Sequence, residues 1–427
     1  NLHLEGPGKI SDDKQEARKL IIATAGQEIS IRYELHSYIP ANNKKDASFK
    51  DASFDAPTIR ENFIYFVGRM ALVYPIFSNN DALINITMQW DTPFEIYSSF
   101  AVGKIQRFKA KISSLWQALY TGGDEIKTRE IIVRHKPVII TFMGKWKNIT
   151  HDELAHFVKT ILTVQRAALN DDRFPYFLVN FWALAKTVRQ GDEEIRSIAG
   201  TALSNSLTVF FHPEQEFNMS VKNLISHELT HMWLGSKILF GKKDGIDGKW
   251  LWEGWTDYFA EIFAYRAKEV SLKDYFTSVN HMLSEYQQSS ENHTKLEQVV
   301  QRYFKKGLHT KDLFQLPYQQ GQIMAMRLNH EIKIRSNFKF SFDNVLSDML
   351  KEAEKEGGTK RFKLDEIRAL IDRYAGSGAF DAEYDKVVNG TPLFEAPQLE
   401  DCAELVFVKG VYSYEIQKNH QCAKWLD

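Results

Sequence analysis

The sequence predicts a multidomain α+β protein: a β-rich N-terminal domain over residues 1–148, a mixed domain over 149–310, a helical domain over 311–395 and a short β-hairpin tail over 396–427. Three observations predict it. Short alternating or β-rich segments dominate the first third. A capping box at Thr150 then opens helical periodicity, and from about residue 310 apolar residues recur at helical spacing and stop at glycines. A length of 427 residues leaves room for about three domains with ample cores.

In chain order, residues 29–35 alternate, 62–67 are β-rich and 82–87 form a further strand candidate, with a polar loop over 42–48. Short strands continue to Phe142, which sets the expected end of the first domain at 148. Thr150 and Glu153 make the capping box, and Leu154, Phe157, Val158, Ile161 and Leu162 follow at helical spacing. Residues 173–179 start a small sheet. Leu207, Val209 and Phe211 alternate with Thr208, Phe210 and His212, the pattern of an edge strand beside a cleft, where an extended peptide can pair through its main chain, with an ordinary core strand as the alternative. Helices are expected over 342–356, ending at Gly357 and Gly358, and over 364–375, ending at Gly376. The tail reads as a hairpin turning at Lys409 and Gly410, flanked by Cys402 and Cys422, the only cysteines. A disulfide between them would suggest a periplasmic or secreted protein; with free thiols a cytoplasmic location stays open.

Net charge is −1, from 54 basic and 55 acidic residues, so no electrostatic footprint of nucleic acid or an anionic membrane is visible. No apolar run approaches the roughly 18 residues of a membrane span. With Asn at position 1, the chain reads as one that has lost a targeting segment or been trimmed. Nothing in the sequence sets an oligomeric state.

The chemistry concentrates in His227-Glu228-Leu229-Thr230-His231. Residues four apart share one face of a helix, so both imidazoles can reach a single ion, while Glu228 beside them suits a general base acting on water. Asn218 offers helix-start chemistry, and Leu224, Ile225, Leu229, Met232 and Trp233 supply the apolar stripe such a helix needs. A third, anionic ligand would complete the site and leave a fourth position open, as catalytic zinc requires. Asp244 and Asp247 lie in a glycine-rich turn that would hold a ligand poorly. Glu253 instead opens a helical pattern with Asp257 and Glu261 on its face, and is taken as the ligand. Asp257 then either orients a ligating imidazole or is a satisfied buried carboxylate. Trp233, Trp250, Trp252 and Trp255 crowd this region and are read as packing first.

The HExxH pair with a glutamate on the next helix resembles the gluzincins, the thermolysin-like zinc peptidases, and residues 251–258 resemble the W-x-x-E-G-F-T-x-Y-Y helix of the glycyl aminopeptidase family, whose catalytic domain is shared with the main zinc aminopeptidases. The 21 residues between His231 and Glu253 favour that branch. Residues 316–326 are similar to the P-Y-x-K-G segment of both groups, which implies an oxyanion-stabilising role for Tyr318; a phenol is a neutral donor suited to it. His281, Tyr303 and His309 are the other donors that spacing allows. The resemblance covers roughly residues 60–395 and implies a thermolysin-like catalytic domain, one Zn2+ held by His227, His231 and Glu253, and a peptide or protein substrate.

One block departs from the pattern. Aminopeptidases of this kind carry a glutamate that grips the substrate's free α-amine on an edge strand, in G-x-M-E-N or G-G-L-E-H. Here the corresponding candidates for substrate binding are Gly200, Ala202, Leu203, Asn205 and Ser206, and the glutamate's place falls on Ala202 or Leu203 according to the anchor. Neither is acidic, and a buried ammonium without a counter-charge is costly. The reading is therefore a zinc metallopeptidase with an aminopeptidase-like fold but without the usual amine-binding glutamate. The alternatives are an endopeptidase or blocked-N-terminus peptidase, and a catalytically weak zinc-bearing peptide-binding module.

Overall fold

A computed structural model of the chain describes residues 2–13, 18–23, 26–36, 57–74, 82–174, 176–183, 187–190, 193–196, 198–242, 248–303, 305, 310–418 and 420–427. The chain divides into two compact units, Asn1–Ile96 with Val102–Asp124, and Tyr97–Ala101 with Glu125–Asp427.

The first unit is built of antiparallel pairs. Phe63–Val67 hydrogen-bonds Thr58–Arg60 on one side and Leu119–Gly123 on the other, with Tyr65, Phe66, Val67, Leu119 and Tyr120 buried. Ile84–Gln89 pairs with Ile105–Ala110 and half-buries alternate residues, as a strand with one solvated face does. Leu2–Glu5 pairs with Ser30–Tyr33, and Gly8–Asp13 with Arg18–Ala23. The strands expected near 29, 62 and 82 are thus present, and the expected polar loop over 42–48 lies outside the described residues.

The second unit begins earlier than expected. Strands β1 (Lys127–Val133) and β2 (Lys136–Met143) do not belong to the N-terminal unit but to a five-stranded sheet with β3 (Phe177–Ala183), β4 (Ile198–Leu203) and β5 (Ser206–Phe211), in the order β1-β2-β3-β5-β4. The cause is pairing: β2 runs parallel to β3, and β3 parallel to β5, so the boundary falls near 124 and not at 148. Helix α1 (His151–Ala168) lies against this sheet. Its capping box is formed, with Glu153 N–H donating to Thr150 Oγ1 at 3.1 Å and Thr150 N–H to Glu153 Oε2 at 2.8 Å, a device that contributes about 1 kcal/mol. Val138, Ile140, Phe142, Val179, Phe181, Leu207 and Val209 are wholly buried with α1's Phe157, Ile161 and Leu162.

Residues 206–211 take the core-strand alternative. Every residue of β5 is buried, and the strand is interior; the edge strand is β4. Thr208, which suggested a solvated face, is a rung of a buried polar row: Thr141 Oγ1 donates to Asn180 Oδ1 at 2.8 Å, and Asn180 Nδ2 to Thr208 Oγ1 at 3.4 Å. Polar residues that satisfy one another across a sheet reproduce the alternation of an exposed strand.

The remaining helices of more than ten residues are α2 (Met219–Thr230), α3 (Lys249–Arg266), α4 (Leu272–Gln288), α5 (Lys311–Arg335), α6 (Phe342–Lys355), α7 (Leu364–Ala375) and α8 (Ala379–Asn389). α3 and α5 cross in backbone contact at two glycines. A Cβ on Gly254 would lie 2.3 Å from Gly321 Cα, and one on Gly321 would lie 1.8 Å from the Trp250 carbonyl oxygen. The tail forms the expected hairpin, β6 (Ala403–Val408) with β7 (Val411–Ile416), turning at Lys409 and Gly410, both at positive φ. Cys402 and Cys422 are joined by a disulfide. Two amide side chains of α4 dock β7: Asn280 exchanges hydrogen bonds of 2.9 and 2.7 Å with the Tyr414 main chain, and Gln287 bonds of 3.1 and 2.7 Å with that of Tyr412. The three segments 149–310, 311–395 and 396–427 therefore form one compact unit. None of the described helices is long and apolar enough to cross a membrane.

Candidate metal centre

Two helices assemble the site. α2 starts at Asn218, whose side chain accepts from Val221 N–H at 3.3 Å, and it ends at His231. α3 buries Trp250, Leu251, Trp255, Phe259, Ile262 and Phe263 in the core, which turns Glu253 and Asp257 towards the histidines. The two imidazoles stand nearly perpendicular with centroids 4.5 Å apart. His227 Nε2 lies 3.3 Å and His231 Nε2 3.4 Å from the same oxygen, Glu253 Oε2. The three side chains form the one group among the described residues whose donor atoms could hold a metal ion, all within 4.8 Å of one another.

The far side of each ring is also occupied. His227 Nδ1 is 2.6 Å from Asp257 Oδ1, and His231 Nδ1 is 2.9 Å from the Leu234 carbonyl. Both partners accept, so each Nδ1 carries the proton and each Nε2 presents its lone pair to the shared point beside Glu253. The electrostatics ask for a cation there. Burial alone would drive His227 to its neutral form, yet Asp257, Glu253 and Glu228 outweigh it and hold the imidazole well above its ordinary value. For Glu253, burial opposes ionisation, and bonds to His227 and His231 overcome it and hold the carboxyl well below its usual range. Two imidazoles and a carboxylate facing one point, with two further carboxylates around them, fit a divalent ion of borderline softness, which would take the place of the proton that otherwise charges His227.

Glu228 is buried between the histidine turns, and burial raises its carboxyl above the ordinary range against the pull of His231 and His227. Strand β4 passes directly over it. A Cβ on Gly200 would sit 2.4 Å from Glu228 Cγ and 2.5 Å from its Oε1, so only glycine lets the strand approach. Ala202 shares that face of the strand by alternation; Leu203 lies on the other. Asn205 occupies the turn at φ 46°, and Ser206 is buried against Ser99, Oγ to Oγ 2.7 Å. Of the candidates for substrate binding, Gly200 and Ala202 share the face that meets Glu228, and the other three do not.

Tyr318 on α5 reaches the site. Its ring lies 6.3 Å from that of His227 at 26°. Burial, then the nearby Glu253 charge, push the phenol far up, so it keeps its proton. Of the other donors considered, His281 is exposed and pairs with Glu285, Tyr303 packs against Phe314, and His309 lies outside the described residues, as do Asp244 and Asp247. One residue went unnoticed in the sequence. Lys249 Nζ donates to Glu253 Oε1 at 2.7 Å and to the Tyr318 hydroxyl oxygen at 3.2 Å. Its only sequence signal is the i, i+4 spacing to Glu253, which ordinarily marks a surface pair. Trp233, Trp250 and Trp255 are wholly buried packing residues, as expected.

Comparison with known proteins agrees with this geometry. Residues 200–362, which contain every residue of the centre, match the family model described as the peptidase family M1 domain. No curated protein matches the chain in sequence. Among solved structures, an aminopeptidase N family protein from Idiomarina loihiensis superposes with a TM-score of 0.72 at 14% identity, over 91% of this chain and 68% of that one. A mutant M1 zinc metallopeptidase from Deinococcus radiodurans, bound to a Tyr-Ser-Ala substrate, gives 0.53 at 13% identity, over 93% and 85%. Leukotriene A4 hydrolase from Saccharomyces cerevisiae gives 0.55 at 14%, over 93% and 61%. At these identities the likeness establishes the fold.

Proposed function

For a chain whose residues 200–362 match the peptidase family M1 domain, we propose a zinc-dependent metallopeptidase of the gluzincin class that hydrolyses peptide bonds. The observation that carries it is the convergence of His227 Nε2 and His231 Nε2 on Glu253 Oε2, with Glu228 buried beside them under strand β4. His227, His231 and Glu253 would hold the zinc ion, which when bound would supply Lewis acidity and lower the pKa of water. Glu228 takes the proton of the attacking water and delivers it to the leaving amine, and burial raises its carboxyl above the ordinary range, the direction a base needs. The Tyr318 hydroxyl donates to the oxygen that gains charge. Asp257 holds His227 in the ligating tautomer. The edge of β4 pairs with the substrate main chain, and Gly200 sets how closely that chain approaches Glu228.

Within this reading the enzyme acts on peptides without gripping a free N-terminus. The face of β4 that meets Glu228 carries Ile198, Gly200 and Ala202, none of them acidic. Cleavage inside chains, or of blocked N-termini, is supported over strict aminopeptidase action. The disulfide supports placing the protein in a periplasmic or secreted setting.

The test is cleavage mapping by mass spectrometry, with zinc-loaded protein offered one peptide library with free N-termini and the same library acetylated. Internal cuts in both sets are expected. Loss of single residues from the free set alone would show an amine-binding group elsewhere, and no cleavage with zinc retained would favour a peptide-binding module. In parallel, Glu228→Gln is expected to lower kcat by about 10²- to 10⁴-fold while zinc stays bound one to one; retained turnover would remove Glu228 from the base role.

A further inference from the structure

We propose that Lys249 is a positioning residue that couples the third metal ligand to the oxyanion donor, holding one oxygen of Glu253 away from the metal and fixing the hydroxyl of Tyr318. The inference rests on the reading of the site given above.

Lys249 is not placed as a surface lysine is. Its side chain is 14% exposed, and its ammonium lies 4.9 Å from the ring centre of Tyr318, 5.6 Å from that of Tyr303 and 5.9 Å from that of Phe314. A cation among three aromatic faces is held by their quadrupoles and loses the freedom that makes exposed pairs weak. Lys249 is also the first residue of α3, where the helix dipole disfavours a positive charge. The two oxygens it bonds account for its presence there.

Those two bonds divide the work of their partners. Glu253 turns Oε2 to both imidazoles and Oε1 to Lys249, so the oxygen engaged by the lysine is not offered to the ion. An ammonium has only donors, so its contact with Tyr318 fixes the phenol oxygen as acceptor. The phenol proton must then point elsewhere than at Lys249, and a cation on the oxygen strengthens that O–H as a donor. Position is set by the crossing of α3 and α5 at Gly254 and Gly321, one residue beyond Glu253 and three beyond Tyr318.

The experiment compares wild-type protein with Lys249→Met and Lys249→Arg, each alone and with Tyr318→Phe. Cobalt(II)-substituted protein provides a reading that needs no turnover. In Lys249→Met the freed carboxylate oxygen joins the ion, coordination number rises and the visible absorptivity falls; Lys249→Arg keeps the wild-type spectrum. With a peptide cleaved by the wild-type protein, Lys249→Met lowers kcat by about 10- to 100-fold with KM held within about twofold, and Lys249→Arg restores part of the loss. Tyr318→Phe, expected to cost about 10²-fold in the wild-type background, then adds less than about tenfold in Lys249→Met. An unchanged cobalt spectrum in Lys249→Met overturns the proposal, and so do independent, additive losses from the two substitutions. If Lys249→Met does not fold, Lys249→Gln carries the same two readings. A wild-type protein that cleaves no peptide refutes the peptidase reading, while the cobalt spectrum still decides the role of Lys249.

Discussion

At the scale of single residues, close approach does as much as ligand identity. Gly200 lets β4 lie on Glu228, and Gly200→Ala forces the carboxylate to move because its Cβ would stand 2.4 to 2.6 Å from Glu228 atoms. A displacement of this kind is expected to lower kcat by about 100-fold with the thermal midpoint nearly unchanged; full activity would show that the strand does not fix the base. Glu261 is a second case. Burial, reinforced by Asp257, pushes its carboxyl up to about 8, and it accepts from Ser278 at 2.5 Å and from Gln322 at 2.7 Å. The folded state therefore keeps a proton that the unfolded chain releases above about 4.5. Its stabilisation is whole below that pH and is lost as pH rises towards and through 8. Glu261→Gln should flatten this dependence, with a midpoint above wild type at pH 9 and no such gain at pH 5; parallel curves would exclude the assignment. His227, His231 and Glu253 were legible in the sequence because their spacing is local. Lys249 was not, since a lysine four before a glutamate looks the same whether it faces solvent or three aromatic rings.

At the scale of elements, the crossing of α3 and α5 sets the distance between the ligand helix and the helix of Tyr318. Gly321→Ala places a methyl 1.8 Å from the Trp250 carbonyl, backbone that cannot yield as a side chain can. The helices must separate, at a cost of about 1–3 kcal/mol, and Tyr318 moves with α5. A lowered thermal midpoint and reduced turnover are expected together; a variant with both intact would show slack at the crossing. Helix boundaries were well marked: the expected 364–375 is Leu364–Ala375, and Gly376 adopts φ 89°. Strand β5 reads as edge or core alike, because its polar residues are satisfied inside the sheet and alternation reports polarity, not exposure. The hairpin was legible from its turn, where Lys409 and Gly410 take the positive φ that two-residue loops demand.

At the scale of the molecule, the β-rich start was legible and the division into units was not. Strands β1 and β2 are β-rich like those before them, and only their partner β3, some forty residues on, assigns them to the second unit. The tail likewise belongs to that unit, docked by Asn280 and Gln287, and is itself closed by Cys402–Cys422 across a sequence separation of 20. Closing a loop of this length stabilises by about 3 kcal/mol in the chain-entropy model. Reduction is expected to lower the denaturant midpoint by a matching amount, and identical curves with and without reductant would show that the bridge adds nothing. The tail also reaches the helix that carries Glu253: Arg266 Nε donates to the Leu426 carbonyl at 2.5 Å over 160 positions, and its Nη1 donates to Asp343 at 2.6 Å. A ribosome adding about 5 to 20 residues per second needs roughly 8 to 32 s to make that stretch. The histidines therefore emerge well before their glutamate helix can be locked, and during synthesis the nascent chain passes through a stage in which ligands exist but the pocket does not.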